Sequence, residues 1–167
     1  MSDRSPAVIL GIDPGIADMG YGVIEVGSGV PDRCLVYGSL KTPAGMDGGK
    51  RLLMLGQGLE RLLDRWLPSA VGIEKLFFSK NVRTAMQVAE ARGVIRACLE
   101  SRRVPVTEFS PQEVKMAVCG HGSAEKVQVQ GMVKRLLKLK AVPKPDDAAD
   151  ALALALALAH TRRFDRR

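Results

Sequence analysis

At 167 residues, 46% of them hydrophobic and with a mean hydropathy near zero, the chain has the make-up of one ordinary folded domain and excludes a disordered or fibrous protein. Its formal net charge of +7 favours a polyanionic partner. Cys34, Cys98 and Cys119 are too scattered for a disulfide frame or a zinc site and read as the reduced thiols of a cytosolic protein. The apolar run from Ala151 to Ala159 falls far short of the ~20 residues that span a bilayer, and Met1 to Pro6 leads into a strand without a signal peptide.

Val8 to Asp13 is a short apolar run stopped by Pro14-Gly15, the pattern of a buried strand. A second strand is expected over Gly20 to Val26, close enough to the first for a hairpin, and a third over Cys34 to Leu40 after the turn at Gly27 to Asp32. Connections this short make the three antiparallel neighbours. The period then changes: Leu52, Leu55, Leu59, Leu62, Leu63 and Trp66 recur at three and four residues, an amphipathic helix ended by Pro68. Ala70 to Glu74 returns to strand, Asn81 to Ser101 to a long helix, Val104 to Phe109 to a fifth strand and Pro111 to Val118 to a short helix. The loop Gly120-His121-Gly122 leads to a helix that Ser123 is expected to cap and that runs to about Lys138. Leu152 to Leu158 alternates Leu and Ala like a strand. It lacks β-branched and aromatic residues, however, and Ala and Leu are the best helix formers, so a final helix is expected, reached through Pro143 and Pro145. This order predicts an α/β domain with a mixed five-stranded sheet and helices on both faces.

Four acids stand in or against the most apolar segments: Asp13 and Glu74 end strands, and Asp147 and Asp150 open the last helix on one face of it. Acids are rarely buried unless paired or bound to metal, and the ends of strands are where open sheets place their chemistry. Each has a plainer explanation alone: a turn for Asp13, an exposed strand end for Glu74, dipole complementation for Asp147 and its neighbour Asp146. Together they favour a site. Close pairs would repel by roughly 3 kcal/mol at ~5 Å and an effective dielectric of about 20, which a divalent cation would relieve. Hard cations such as Mg²⁺ take oxygen ligands and keep several waters, and two of them clamp a phosphodiester during in-line displacement. His121 and His160 are in no zinc spacing; His121 reads as a loop residue or at most a phosphate contact.

Gly11-Ile12-Asp13-Pro14-Gly15, Ile73-Glu74-Lys75-Leu76-Phe77, Gly122 to Lys126 with Gln128 and Gln130, and Asp147 to Leu152 together resemble the RuvC Holliday-junction resolvases, over residues 8 to about 160. The resemblance implies a ribonuclease-H-like fold and a metal-dependent endonuclease. Such an enzyme acts as a homodimer and cuts four-way DNA junctions by paired nicks with Mg²⁺ or Mn²⁺, two ions per site. It further implies that Asp13, Glu74, Asp147 and Asp150 are the catalytic acids, with Asp147 preferred to Asp146 by its spacing from Asp150. Lys115 and Lys126 match lysines near the scissile phosphate, and a branch-migration complex of RuvA and RuvB type proteins is the expected partner. The expected unit is one nuclease domain over residues 1–167, its core at about 8–160 and a frayed basic tail at 162–167. An RNA-processing nuclease, a non-catalytic junction binder and an actin-like ATPase lobe are the competing readings.

From Lys126 to Pro145 there are six basic residues and no acid, read as a phosphate track that includes Lys134, Arg135 and Lys138. After Glu74, one of Phe77 and Phe78 is expected in the core and the other, Phe77 by preference, to stack on an unpaired base, with Lys80, Asn81 and Arg83 adding polar contacts. Ala85, Ala89, Ala91, Gly93 and Ala97 either let two copies of the long helix approach or pack on the sheet.

Overall fold

The computed structural model describes residues 6–27, 30–76 and 82–164. Five strands form one sheet: β1 (Ala7–Asp13), β2 (Asp18–Val26), β3 (Arg33–Lys41), β4 (Ala70–Glu74) and β5 (Val106–Phe109). Their spatial order is β3-β2-β1-β4-β5, with β1–β2 and β2–β3 antiparallel and β1–β4 and β4–β5 parallel. The first three strands are therefore antiparallel, as expected from their connections. β1 lies in the middle of the sheet, and its carboxyl end lies beside that of β4.

Helices α1 (Gly48–Trp66) and α2 (Val82–Ser101) cover one face, and α3 (Pro111–Cys119), α4 (Lys126–Leu136) and α5 (Asp146–Phe164) cover the other. On the first face Leu10, Ile12, Val71 and Ile73 meet Leu55, Leu59, Leu63, Ala91, Ile95 and Leu99, all buried. On the second face the strands present Gly11, Gly20, Gly22 and Gly72 to α5. A Cβ on Gly11 would lie 1.9 Å from the carbonyl oxygen of Ala151, and one on Gly20 would lie 2.0 Å from that of Asp147. The backbone of α5 thus rests directly on the sheet. This explains the Ala/Leu alternation: residues 151–159 are all buried, with sheet on one side and α3 and α4 on the other. The segment is a helix, although its alternation suggested a strand.

Three expectations need correction. Glu125, not Ser123, precedes the first turn of α4, and its N–H donates to the side chain of Gln128 at 2.7 Å. Ser123 instead meets the Nδ1 of His121 at 3.2 Å. α5 continues through Phe164, so residues 162–164 of the expected frayed tail are helical, and 165–167 lie outside the described residues. β5 begins at Val106, because the N–H of Val104 closes the preceding helix by donating to Leu99. The α3 expectation holds: Pro111 follows Ser110, whose hydroxyl accepts from Glu113 N while the Glu113 carboxylate accepts from Ser110 N.

Candidate active site

The register brings the acids together. Side chains directly opposite on antiparallel strands share a face, and Asp13 is opposite Gly20. Ile12 pairs with Ile73, which puts Asp13 and Glu74 one step further on, at the carboxyl ends of neighbouring parallel strands. Both point away from the α1–α2 face, where Ile12 and Ile73 go. Because Gly20 has no side chain, the first turn of α5 descends onto it. That seats Asp147 and Asp150 over the end of β1.

A cavity of about 200 Å³ is lined by Asp13, Glu74, Lys115, Lys126 and Asp150 among the walls of Pro111, Val114 and Val129. Burial, then the charges of Glu74, Asp150 and Asp147, push the Asp13 carboxyl up to about 8, with Lys126 opposing. Glu74 is raised by burial and by Asp150, against Arg92 and Lys126. Asp147 is raised by burial, then by Asp18 and Asp150. Burial alone would lower the Lys126 ammonium, but its hydrogen bond to Asp150 and the neighbouring charges of Asp150 and Asp146 raise it. Its Nζ lies 3.2 Å from Asp150 and 3.4 Å from Asp146.

Asp146 and Asp147 occupy different environments. Asp146 faces Lys144 at 2.7 Å and is held below the usual carboxylate range by that hydrogen bond and then by Lys126. Asp147 faces acids. The acidic cluster therefore includes Asp147 and leaves Asp146 on its cationic rim.

The donor set fits a hard divalent cation. It is all oxygen, and burial followed by neighbouring acids raises the proton affinity of Asp13, Glu74 and Asp147, a cost that positive charge relieves. Among the described residues no three of these side chains close into a ready-made cage.

The predicted cations divide. Lys115 and Lys126 line the cavity, whereas Lys134 and Arg135 lie in the last turn of α4 and Lys138 just beyond it, exposed. Lys126 and Lys134 are separated along α4 by about 12 Å at the helical rise, so these basic residues run away from the acids. Lys144 serves Asp146. Arg83 is exposed at the start of α2, while Phe77, Phe78, Lys80 and Asn81 lie outside the described residues.

Several contributors escaped the sequence reading. Asp18 shares the face of Gly20 on β2, and its Oδ1 is buried beside Asp147 with no hydrogen-bond partner among the described residues. Arg92, 7% exposed, donates to the Glu74 carbonyl and meets Glu108 at 3.0 Å. The sign of Asp18 was legible in the sequence, but its orientation depends on β2 starting at residue 18. A lone Arg in a helix gives no signal at all.

The family model for crossover junction endodeoxyribonuclease RuvC matches residues 9–160. The chain belongs to the RuvC family. Crossover junction endodeoxyribonuclease RuvC of Brevibacillus brevis is 50% identical over 156 residues, 93% of each chain. That of Chloroflexus aggregans is 51% identical over 152 residues, 91% of this chain and 92% of the relative. Among solved structures, Thermus thermophilus RuvC in complex with a Holliday junction substrate superposes with a TM-score of 0.90 at 36% identity, covering 95% of this chain and 96% of that one. The yeast mitochondrial Holliday junction resolvase Ydc2, at 16% identity and a TM-score of 0.69, shares the ribonuclease-H-like α/β fold. The chain is thus a RuvC-family hydrolase of the metal-dependent nuclease type, and no helix among its described residues is long and apolar enough to cross a membrane.

Proposed function

We propose that this protein, as one nuclease domain, resolves four-way DNA junctions in the cytoplasm by paired, symmetric hydrolytic nicks. The observation that carries the reading is the convergence of Asp13, Glu74, Asp147 and Asp150 at the carboxyl ends of β1 and β4, where burial and then the three neighbouring acids push Asp13 up to about 8. Such crowding of carboxylates is a cost to a mere DNA binder. The solved relative in complex with a Holliday junction supports the substrate.

In this reading Asp13, Glu74, Asp147 and Asp150 hold Mg²⁺ or Mn²⁺, two ions per site, which when bound activate water and neutralise the phosphodiester. Lys126, already on Asp150, and Lys115, on the cavity wall, offer ammonium groups to the charge that develops on the scissile phosphate. Lys134, Arg135 and Lys138 take phosphates further along an arm, joined by Arg83 and, from the segment after Glu74, Lys80 and a stacking Phe77.

A junction must be cut on two symmetry-related strands, which calls for a two-fold dimer. Ala89, Gly93 and Ala97 are exposed along α2, and a Cβ on Gly93 would meet nothing within 4 Å among the described residues, whereas Ala91 is spent in the core. A branch-migration complex of RuvA and RuvB type proteins is the natural supplier of the substrate.

The test uses a synthetic four-way junction, duplex DNA and single-stranded RNA, each with Mg²⁺, Mn²⁺ or EDTA. Wild-type protein should cut the junction alone, and only with metal. Asp13→Asn and Asp147→Asn should bind the junction at least as tightly and not cut it, whereas Asp146→Asn should cut. Equal cleavage of RNA, or a dead Asp146→Asn beside an active Asp147→Asn, would overturn the assignment. Mixed wild-type and Asp13→Asn protein should convert a cruciform plasmid into nicked circles rather than linear DNA.

A further inference from the structure

We propose that Arg92 is the positioning residue for the Glu74 carboxylate: its guanidinium fork ties the last carbonyl of β4 to Glu108 and so sets the direction from which Glu74 enters the site. The inference rests on the reading of Glu74 as a catalytic acid. Arg92 sits on α2, across the sheet from α5, and an arginine is almost never buried without a partner. Nη1 donates to the carbonyl oxygen of Glu74, and Nη2 donates to Glu108 Oε1 at 3.0 Å. Arg96 holds the same Glu108 oxygen from the outside. Two donors fixed in one plane make a rigid bracket between the backbone of β4 and the side chain of β5, a geometry that a flexible ammonium cannot reproduce.

Glu74 needs such a bracket. Its strand ends there: Lys75 adds one more bond, from its N–H to Phe109 O at 2.8 Å, and the chain then leaves the sheet. Meanwhile Asp150 faces Glu74 with like charge, and the Asp13 carboxyl lies beside it. A strand end loaded with electrostatic repulsion swings unless its peptide is held. The hold comes from the face of the sheet opposite the acids, so it leaves the carboxylate oxygens unobstructed. Asp13 has no equivalent requirement, because β1 is bonded on both sides up to its last residues.

The experiment compares wild type with Arg92→Lys, which keeps the charge and loses the fork, and with Arg92→Ala. The alanine variant opens a gap beside a cavity of about 290 Å³ lined by Glu74, Lys75, Val88 and Arg92 itself, through which guanidinium ion can reach the vacated position. Groups that orient ligands from behind typically contribute about 10–100-fold to activity or metal affinity. Both variants should lose that much in cleavage rate at saturating four-way junction. Their half-saturating Mg²⁺ concentration should rise while junction affinity in EDTA stays as in wild type. Guanidinium chloride at low millimolar concentration should restore part of the Arg92→Ala rate, and sodium chloride should not.

Wild-type rate and metal requirement in folded Arg92→Lys would overturn the inference. So would a parallel fall of rate, junction affinity and melting temperature without recovery by guanidinium, the mark of a residue that only supports the fold. Should Arg92→Ala not fold, Arg92→Lys and Glu108→Gln carry the comparison, with a smaller rise in metal requirement expected for Glu108→Gln. If wild-type protein cuts no junction, the proposed function fails. The inference is then decided by the rise in melting temperature on adding Mn²⁺, which Arg92→Lys should diminish.

Discussion

The two faces of the sheet are built on different principles. Toward α1 and α2, branched side chains interdigitate: Leu10, Ile12, Val71 and Ile73 against Leu55, Leu59 and Leu63. Toward α5, the central strands withdraw their side chains, and Gly11, Gly20, Gly22 and Gly72 let a helix backbone lie on a sheet backbone. A side-chain interface adjusts to a change of a few tenths of an ångström by rotating a side chain. A backbone interface has no such freedom. The acids are mounted on the second kind, which holds Asp147 and Asp150 of α5 over Asp13 of β1 at a distance set by peptide atoms.

Glycine substitutions break this comparison most directly. Gly11→Ala and Gly20→Ala place a methyl against the Ala151 and Asp147 carbonyls. Each should cost at least about 1–3 kcal/mol in chemical denaturation, and Gly20→Ala should also lose cleavage, because Asp147 must lift. Gly56→Ala on α1 meets side-chain atoms, the Val94 Cγ1 at 3.2 Å and the Cys98 Sγ at 3.7 Å. It should fall within about 1 kcal/mol of wild type, helped by the higher helix propensity of Ala. Similar costs at Gly56 and Gly20 would erase the distinction between the faces.

The next effect is electrostatic and confined to the α5 face. Asp13 is held near 8 against its ordinary 3.8, so the folded state retains a proton that the unfolded chain releases. With EDTA present, the stabilisation from that proton is complete below pH 3.8 and lost as pH rises through about 8. Thermal melts over this window should show falling stability in wild type and a flatter profile in Asp13→Asn, and Mn²⁺ should flatten the wild-type profile in the same way. A parallel decline in both proteins would mean that the strain lies elsewhere.

Charge removal at the far end of α4 tests how far that face extends as a DNA surface. Replacing Lys134, Arg135 and Lys138 should weaken binding to junction and duplex alike. The slope of log affinity against log salt should fall by ~0.9 for each phosphate that the variant no longer neutralises. An unchanged slope would return these side chains to ordinary solvated surface.

The smallest expected effect is at the start of α3. Glu113 is held down to about 2 by the N–H of Ser110, then by Lys75 and the Ser110 hydroxyl. Its contribution is present above the ordinary carboxylate range and lost as pH falls through about 2. Glu113→Gln should therefore be slightly less stable than wild type at neutral pH, by less than about 1 kcal/mol, and indistinguishable from it at the acid end.

The order of strands and helices was readable because each segment declares its period: alternation or apolar runs in the strands, three-and-four spacing in α1, a proline after the helix-capping serine at Ser110. The four acids were readable because charge at the edge of an apolar run is conspicuous. α5 was ambiguous, since Leu/Ala alternation matches a strand, and composition had to decide it. The start of α4 was misjudged by two residues, because Ser123 and Glu125 both suit a helix start and only the chain path shows which one the first turn meets.

Local chemistry, read from sequence alone, thus determined the element order, the excess of positive charge and the acids as a group, because period, burial and charge are properties of short segments. What only the tertiary structure decided is which of these groups meet. Asp147 joins the cluster and Asp146 does not; Lys126 lines the cavity while Lys134 and Arg135 lie in the last turn of α4; Asp18 and Arg92 enter the site's surroundings from β2 and α2. These facts depend on strand register and on the seating of α5 over Gly11 and Gly20, where residues more than a hundred positions apart meet in a way that no local pattern encodes.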